Sequence, residues 1–183
     1  FAFLCLEHDR PHPRETVATL LRPNAPDSEA KKYLRTTLYR LRKVLDDLLP
    51  EHGLIVERGA IELRIDPSKL TVDVLTLEAV ARRSQSADLA QLEAVTNLYR
   101  GDLLQGLHIG DPELFTRWLL LQRERTRQQV MQLLTTLAEQ AAAAAAWDVV
   151  SRATQRQLEL EAWHEPAFQR GMVALARQGN RSA

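Results

Sequence analysis

The sequence predicts a mainly α protein built in two parts: three helices with a β-hairpin, then an all-α region. Three observations carry that prediction. Residues 33–49, "YLRTTLYRLRKVLDDLL", hold one apolar stripe at helical spacing. At 54–66, "LIVERGAIELRID", the apolar period changes to two, as a half-buried strand pair requires. Beyond Asp66-Pro67-Ser68 every patterned segment returns to helical spacing.

Residues 1–8, with the run FAFLCL, read as the end of an apolar helix, and the chain reads as a piece of a longer protein. His12-Pro13 precede a helix over 14–21 with Val17, Ala18, Leu20 and Leu21 on its apolar face. Pro13 suits a first turn, where its missing N–H costs nothing. RPNAPDS is a loop. Asp27 or Ser28 is placed to cap the third helix, which runs to about Leu49 and stops at Pro50. With Leu34 at zero on a helical wheel, Leu38, Leu41, Leu45 and Leu48 fall within about 40° of it. Two short strands, Leu54–Glu57 and Ile61–Ile65, then flank Arg58-Gly59-Ala60. Ile61, Leu63 and Ile65 share one face, and Glu62 and Arg64 the other.

The stretch from Asp66 to Asp73 is a boundary, giving domains 1–72 and 73–183. The second region reads as helices at about 73–84, 88–100, 112–142, 147–161 and 165–178, with "RGDLLQGLHIGDP" as the main loop. Ala141–Ala146 is a rigid helical extension, a close crossing of two antiparallel helices, or a linker. The residues after it have a helix–turn–helix rhythm with Trp147, Val150, Ala153 and Leu158 inward. Pro166 stands near the start of the second helix. That rhythm is tetratricopeptide-like, one degenerate repeat rather than an array.

Composition removes several classes of function. Lys and Arg total 24 against 24 Asp and Glu, so a basic segment here is a local feature. Such a segment exists: between Ser28 and Leu45 six basic residues face one acid, Glu29. The second region, by contrast, has twelve arginines against thirteen acids. A single cysteine, Cys5, excludes an internal disulfide and, within FAFLCL, reads as a buried inert thiol. No run approaches the roughly 18 uncharged apolar residues of a membrane span, and no signal-peptide pattern occurs. A cytoplasmic protein without membrane contact is expected. His8, His12, His52, His108 and His164 stand singly, and His8-Asp9 with His12 lacks a third ligand, so no metal is expected. No glycine-rich phosphate loop or nucleophile elbow occurs, and Asp46-Asp47 reads as surface. No cofactor and no enzymatic activity are expected.

The basic helix bears on function. A helix with one apolar face held by a scaffold and one basic face free fits the DNA major groove. The other reading is a basic face paired with acids inside the fold, or simply solvated. Helix, loop, basic helix and hairpin, in that order, form a winged helix–turn–helix, with Arg58 at the hairpin tip where a cation meets phosphate or a narrow minor groove. "RPHPRETVATLLRP…SEAKKYLRTTLYRLRKVLDD…LIVERGAIELRID" resembles the OmpR-like domain of the Streptomyces antibiotic regulatory protein family. "VDVLTLEAVARR…LYRGDLLQGL…FTRWLLLQRERTRQQVMQLLTTLAE" resembles the bacterial transcriptional activator domain that follows it there.

The resemblance implies a recognition helix bearing Lys32, Arg35, Thr36, Tyr39, Arg40 and Lys43. Arg42, about 80° from the apolar stripe, and Arg14, at the start of the preceding helix, would reach phosphates. It implies double-stranded DNA as one partner, with direct repeats bound by two protomers. It also implies RNA polymerase or other transcription proteins and a second copy of the chain as protein partners. The sequence departs from the family at three places. The usual N-terminal sheet is missing, Arg22 replaces a common Trp, and the wing tip is only Arg58-Gly59-Ala60. The alternative is a protein-interaction or oligomerisation module whose winged helix is a scaffold that no longer binds DNA. Acids packed against Lys32 and Arg35 would be its signature.

Overall fold

A computed structural model describes residues 1–8, 10–49, 51–107 and 113–179. The helix stop expected at Pro50, the helix start expected at 112, Asp9 and His108 lie outside the described residues. The chain is mainly helical, with a small three-stranded antiparallel sheet. It divides into two compact units, Phe1–Val72 with Leu104–Gln122, and Asp73–Leu103 with Arg123–Ala183. Residues 104–122, placed in 73–183 by sequence pattern, are thus grouped with the first unit. The Trp118 ring meets Phe3 edge-on at 5.2 Å, and its indole N–H donates to Glu7 Oε1 at 3.2 Å.

The first unit runs α1 (Ala2–Leu6), β1 (His12–Pro13), α2 (Arg14–Leu21), α3 (Asp27–Leu48), β2 (Leu54–Val56) and β3 (Ala60–Leu63). Helix α1 is far too short to persist alone, and buried Leu4 and Cys5 anchor it in the core. The sheet order is β1-β3-β2, with His12 opposite Ile61, Pro13 opposite Ala60 and Val56 opposite Ile61. Strand β1 was not anticipated. Two residues carry no readable alternation, and Pro13 is tolerated because β1 is an edge strand. Pro13 is therefore the N-cap of α2 rather than part of its first turn. The α3 stripe buries Leu34, Leu38 and Leu45 against Val17, Ala18, Leu54, Ile61 and Leu63.

Two expectations about α3 are corrected. Neither Asp27 nor Ser28 caps it: Pro26 is the N-cap, with no side-chain hydrogen bond, and Asp27 is already helical. The Asp27 carboxylate instead lies 3.6 Å from Lys31 Nζ, one turn on. Leu48 is 77% exposed, because the core that receives the stripe ends at Leu45. The strands are also shorter than expected, and Glu57-Arg58-Gly59 forms the connection, closed by the Glu57 N–H donating to Ala60 O at 2.9 Å. Arg22 is exposed and lies over the Tyr33 ring at 4.4 Å.

In the second unit α4 (Asp73–Ala81) is followed by a 3-10 turn at Ser84–Ser86 and by α5 (Leu89–Thr96). Asp88 caps α5, its carboxylate accepting the Gln91 N–H at 2.7 Å. Helix α6 (Glu113–Ala143) is shared between the units at Gln122, and α7 (Trp147–Leu160) and α8 (Glu165–Arg177) complete the fold. The core joins Leu77, Leu92 and Val95 to Val130, Leu133, Leu137 and Ala153. The alanine run of 141–146 is neither one rigid extension nor a crossing along its length: it closes α6 and turns the chain into α7. Helix α6 ends at Ala143, Ala145 turns the chain at φ 55°, and buried Ala141 packs with Val150 and Ala174. The α7–α8 hairpin fits tetratricopeptide-like packing. Leu158 is only half-buried and lines an apolar groove of about 320 Å³ with Phe168 and Met172, while Gln157 takes the fully buried place beside it.

Candidate functional site

The apolar period of α3 turns its opposite face to solvent. Lys32, Arg35, Thr36, Tyr39, Arg40, Arg42 and Lys43 are all exposed, Tyr39 by 71%. The Thr36 hydroxyl donates to the Lys32 carbonyl at 3.2 Å, within the helix. Among the described residues no carboxylate comes within 4.0 Å of the charged groups of Lys32, Arg35, Arg40, Arg42, Lys43 or Arg58. Among the described residues, these six cations are thus without internal neutralisation.

Pairing of β1 with β3 supplies a second cation group. The register that sets Pro13 opposite Ala60 draws the hairpin connection onto the start of α2. The Arg14 N–H donates to Gly59 O at 3.1 Å, and its guanidinium Nη1 donates to Glu57 O at 3.1 Å. Arg35 approaches from α3. Arg14, Arg35 and Arg58 consequently line one cleft of about 590 Å³, together with Glu15, Lys31 and the Gly59 backbone. Three of the nine residues singled out from sequence converge there, and the other six lie along α3 outside it.

Lys31 was missed as a site residue, because about 60° from the apolar stripe it reads as a flank of the core face. It differs from its neighbours in being paired: Nζ stands 2.8 Å from Glu15 Oε1 and 3.6 Å from Asp27 Oδ2. The hydrogen bond and charge of Lys31 hold the Glu15 carboxyl below its ordinary range, and the same contacts hold the ammonium above its own.

His8, His12 and His52 serve local bonds. His8 Nδ1 is 3.0 Å from Cys5 O, and His12 Nε2 is 2.7 Å from Glu7 O. His52 Nδ1 accepts the Leu54 N–H at 2.9 Å, which leaves its Nε2–H to donate to Asp46 at 3.0 Å. Among the described residues no group of three or more His, Cys, Asp or Glu is placed to hold a metal ion. Nor is any helix among them long and apolar enough to cross a membrane.

Residues 72–183 match the family model described as the bacterial transcriptional activator domain. That match spans more than half of the chain, and the chain belongs to this family. A search of curated proteins returns no match. The family carries a transcriptional activator-type role.

Proposed function

We propose that the chain is a DNA-binding transcriptional regulator whose first unit is a winged helix–turn–helix gripping promoter DNA. In this reading α3 is the recognition helix and the β2–β3 hairpin is the wing, as in the Streptomyces antibiotic regulatory proteins. The helical region contacts protein partners, RNA polymerase or a second protomer among them. One observation carries the reading: α3 is anchored on its apolar side, and its exposed cations Lys32, Arg35, Arg40, Arg42 and Lys43 have no acid partner among the described residues. Phosphate contacts from Arg14, Arg35, Arg42 and Arg58 would set register and affinity, and base-edge contacts from α3 would set sequence. Arg40 and Lys43 suit guanine, and Tyr39 and Thr36 suit thymine methyls or phosphates. The reading includes no enzymatic activity, no cofactor and a cytoplasmic location. The scaffold-only alternative wants acids against Lys32 and Arg35, and none is found there among the described residues.

Fluorescence anisotropy of the chain on a random duplex, at several salt concentrations, tests this reading. A Lys32→Glu, Arg35→Glu, Arg40→Glu triple variant serves as the comparison. If about four to six phosphates are neutralised, log affinity falls with log salt at a slope of about −4 to −5, and the variant abolishes it. Absence of binding by the wild-type chain at low salt would overturn the reading.

A further inference from the structure

Glu15 stands inside the basic cleft, on the one cation there that has a carboxylate partner. We propose that this cleft seats one backbone phosphodiester of duplex DNA, and that Glu15 withholds Lys31 from it as a built-in anionic competitor. The proposal rests on the DNA-binding reading and deepens it.

The seat is assembled by sheet register. Arg14 is tied by two hydrogen bonds to the hairpin connection, which sets its guanidinium on the same cleft as Arg58. Arg35 comes from the next turn of α3 after Lys31. Arg35 and Arg58 are exposed and lack a carboxylate partner among the described residues, so an anion arriving in the cleft meets unspent guanidinium groups. A phosphodiester offers two unesterified oxygens to such forks, the geometry that arginine recognises best. The cleft, at about 590 Å³, also admits the sugars on either side of that phosphate.

Lys31 sits on the same wall and is already occupied. Its nearer partner Glu15 belongs to α2, so this competing anion is carried by a different helix, while Asp27 of α3 itself lies farther off at 3.6 Å. Both side chains are open to solvent, and salt screens their attraction as it screens DNA binding. DNA must therefore displace Glu15 or bind without Lys31. The wild-type chain releases fewer counterions than its count of cleft cations would allow.

The test uses the whole chain, a labelled random-sequence duplex and a sodium chloride series read by anisotropy. It compares wild type with Glu15→Gln, Lys31→Gln, the double variant and Glu29→Gln. Glu29 is an exposed acid in the first turn of α3 that has no pairing with Lys31. Glu15→Gln is expected to tighten binding about three- to tenfold at low salt and steepen the slope by about 0.9, the value for one more phosphate contact. Lys31→Gln alone should change affinity by less than about twofold, and in the Glu15→Gln background it should erase the gain. An equal gain from Glu29→Gln, or a gain that survives in the double variant, would reduce the effect to general charge and overturn the proposal. A wild-type chain that binds no DNA at low salt would instead overturn the reading beneath it. Thermal melts of each variant confirm that folded proteins are being compared.

Discussion

The guanidinium of Arg156 on α7 donates to the backbone carbonyl of Tyr99 at 2.8 Å, joining residues 57 positions apart within the second unit. Tyr99 belongs to the "LYRGDLL" stretch, and its own hydroxyl donates to Asp102 at 3.0 Å. The loop after α5 is thus pinned from both ends of one residue. Replacing Arg156 by Met keeps the aliphatic stem and removes the donor. A hydrogen bond from a charged but half-exposed donor is worth about 1–2 kcal/mol. Urea denaturation of Arg156→Met should show a loss of that size, and no loss would mean that the loop is held by packing alone.

Tyr99 also gives a pH signature. Burial, aided by the hydrogen bond to Asp102, pushes its phenol up to about 12 from an ordinary 10.0. Between these values the unfolded chain has lost the proton and the folded chain keeps it, so stability falls as pH rises through that window and is independent of this group below it. Tyr99→Phe, which cannot ionise, should show a shallower loss of stability between pH 10 and 12 than wild type. Parallel stability–pH curves would remove Tyr99 from the alkaline transition.

Gly53 precedes β2 at φ +68°, and a Cβ there would meet the Arg64 carbonyl oxygen at 1.9 Å. Gly59, in the wing connection, has open space around it. Gly53→Ala should therefore destabilise the first unit by at least about 1–2 kcal/mol, from left-handed backbone and clash together, while Gly59→Ala should stay within about 0.5 kcal/mol of wild type. Thermal melts compare the two directly, and equal losses would contradict the hairpin geometry.

These glycines mark how far the sequence could be read. Helix α3 and the helices of the second region were legible because long stretches keep one period, and Leu34, Leu38 and Leu45 went where the wheel put them. Strand β1 was not, because it exists only through pairing with Ala60 and Ile61, some fifty residues later. Everything that depends on that pairing was hidden with it, including the meeting of Arg14 with Arg58 and the cleft wall formed by Lys31. The grouping of 104–122 with the first unit was hidden too. It follows from Phe3 meeting Trp118, a contact that no local pattern announces. The alanine run needed its partners, Val150 and Ala174, before its role could be read.

Cys5 offers a chemical check on the first core. Burial pushes its thiol up to about 11 from an ordinary 9.0. At pH 8 its thiolate fraction is then roughly 100-fold below that of an ordinary cysteine. Labelling by a thiolate-selective disulfide reagent should be slow in the native chain and become fast in urea. Fast native labelling would mean that α1 does not hold its place in the core.

Under the proposed reading, Arg40 would separate readout from grip on DNA. It is exposed at mid-helix and lies outside the cleft that gathers Arg14, Arg35 and Arg58. Once an operator is in hand, Arg40→Glu should lose more affinity on it than on random duplex, by about 1–3 kcal/mol for a lost base contact. Equal losses on both DNAs would make Arg40 a phosphate contact.

The two-residue strand β1 has a consequence in time. Its ladder, His12 to Ile61 and Pro13 to Ala60, joins residues separated by both intervening helices and the first hairpin strand. Loop closure of that span is entropically slow compared with forming either helix, and contacts distant in sequence delay folding. A nascent chain therefore exposes all the residues of α3 before it can position Arg14 beside Arg58. Under the proposed reading, competence to grip a phosphate would arrive with emergence of residues 60–63, rather than with the helix that bears most of the charge.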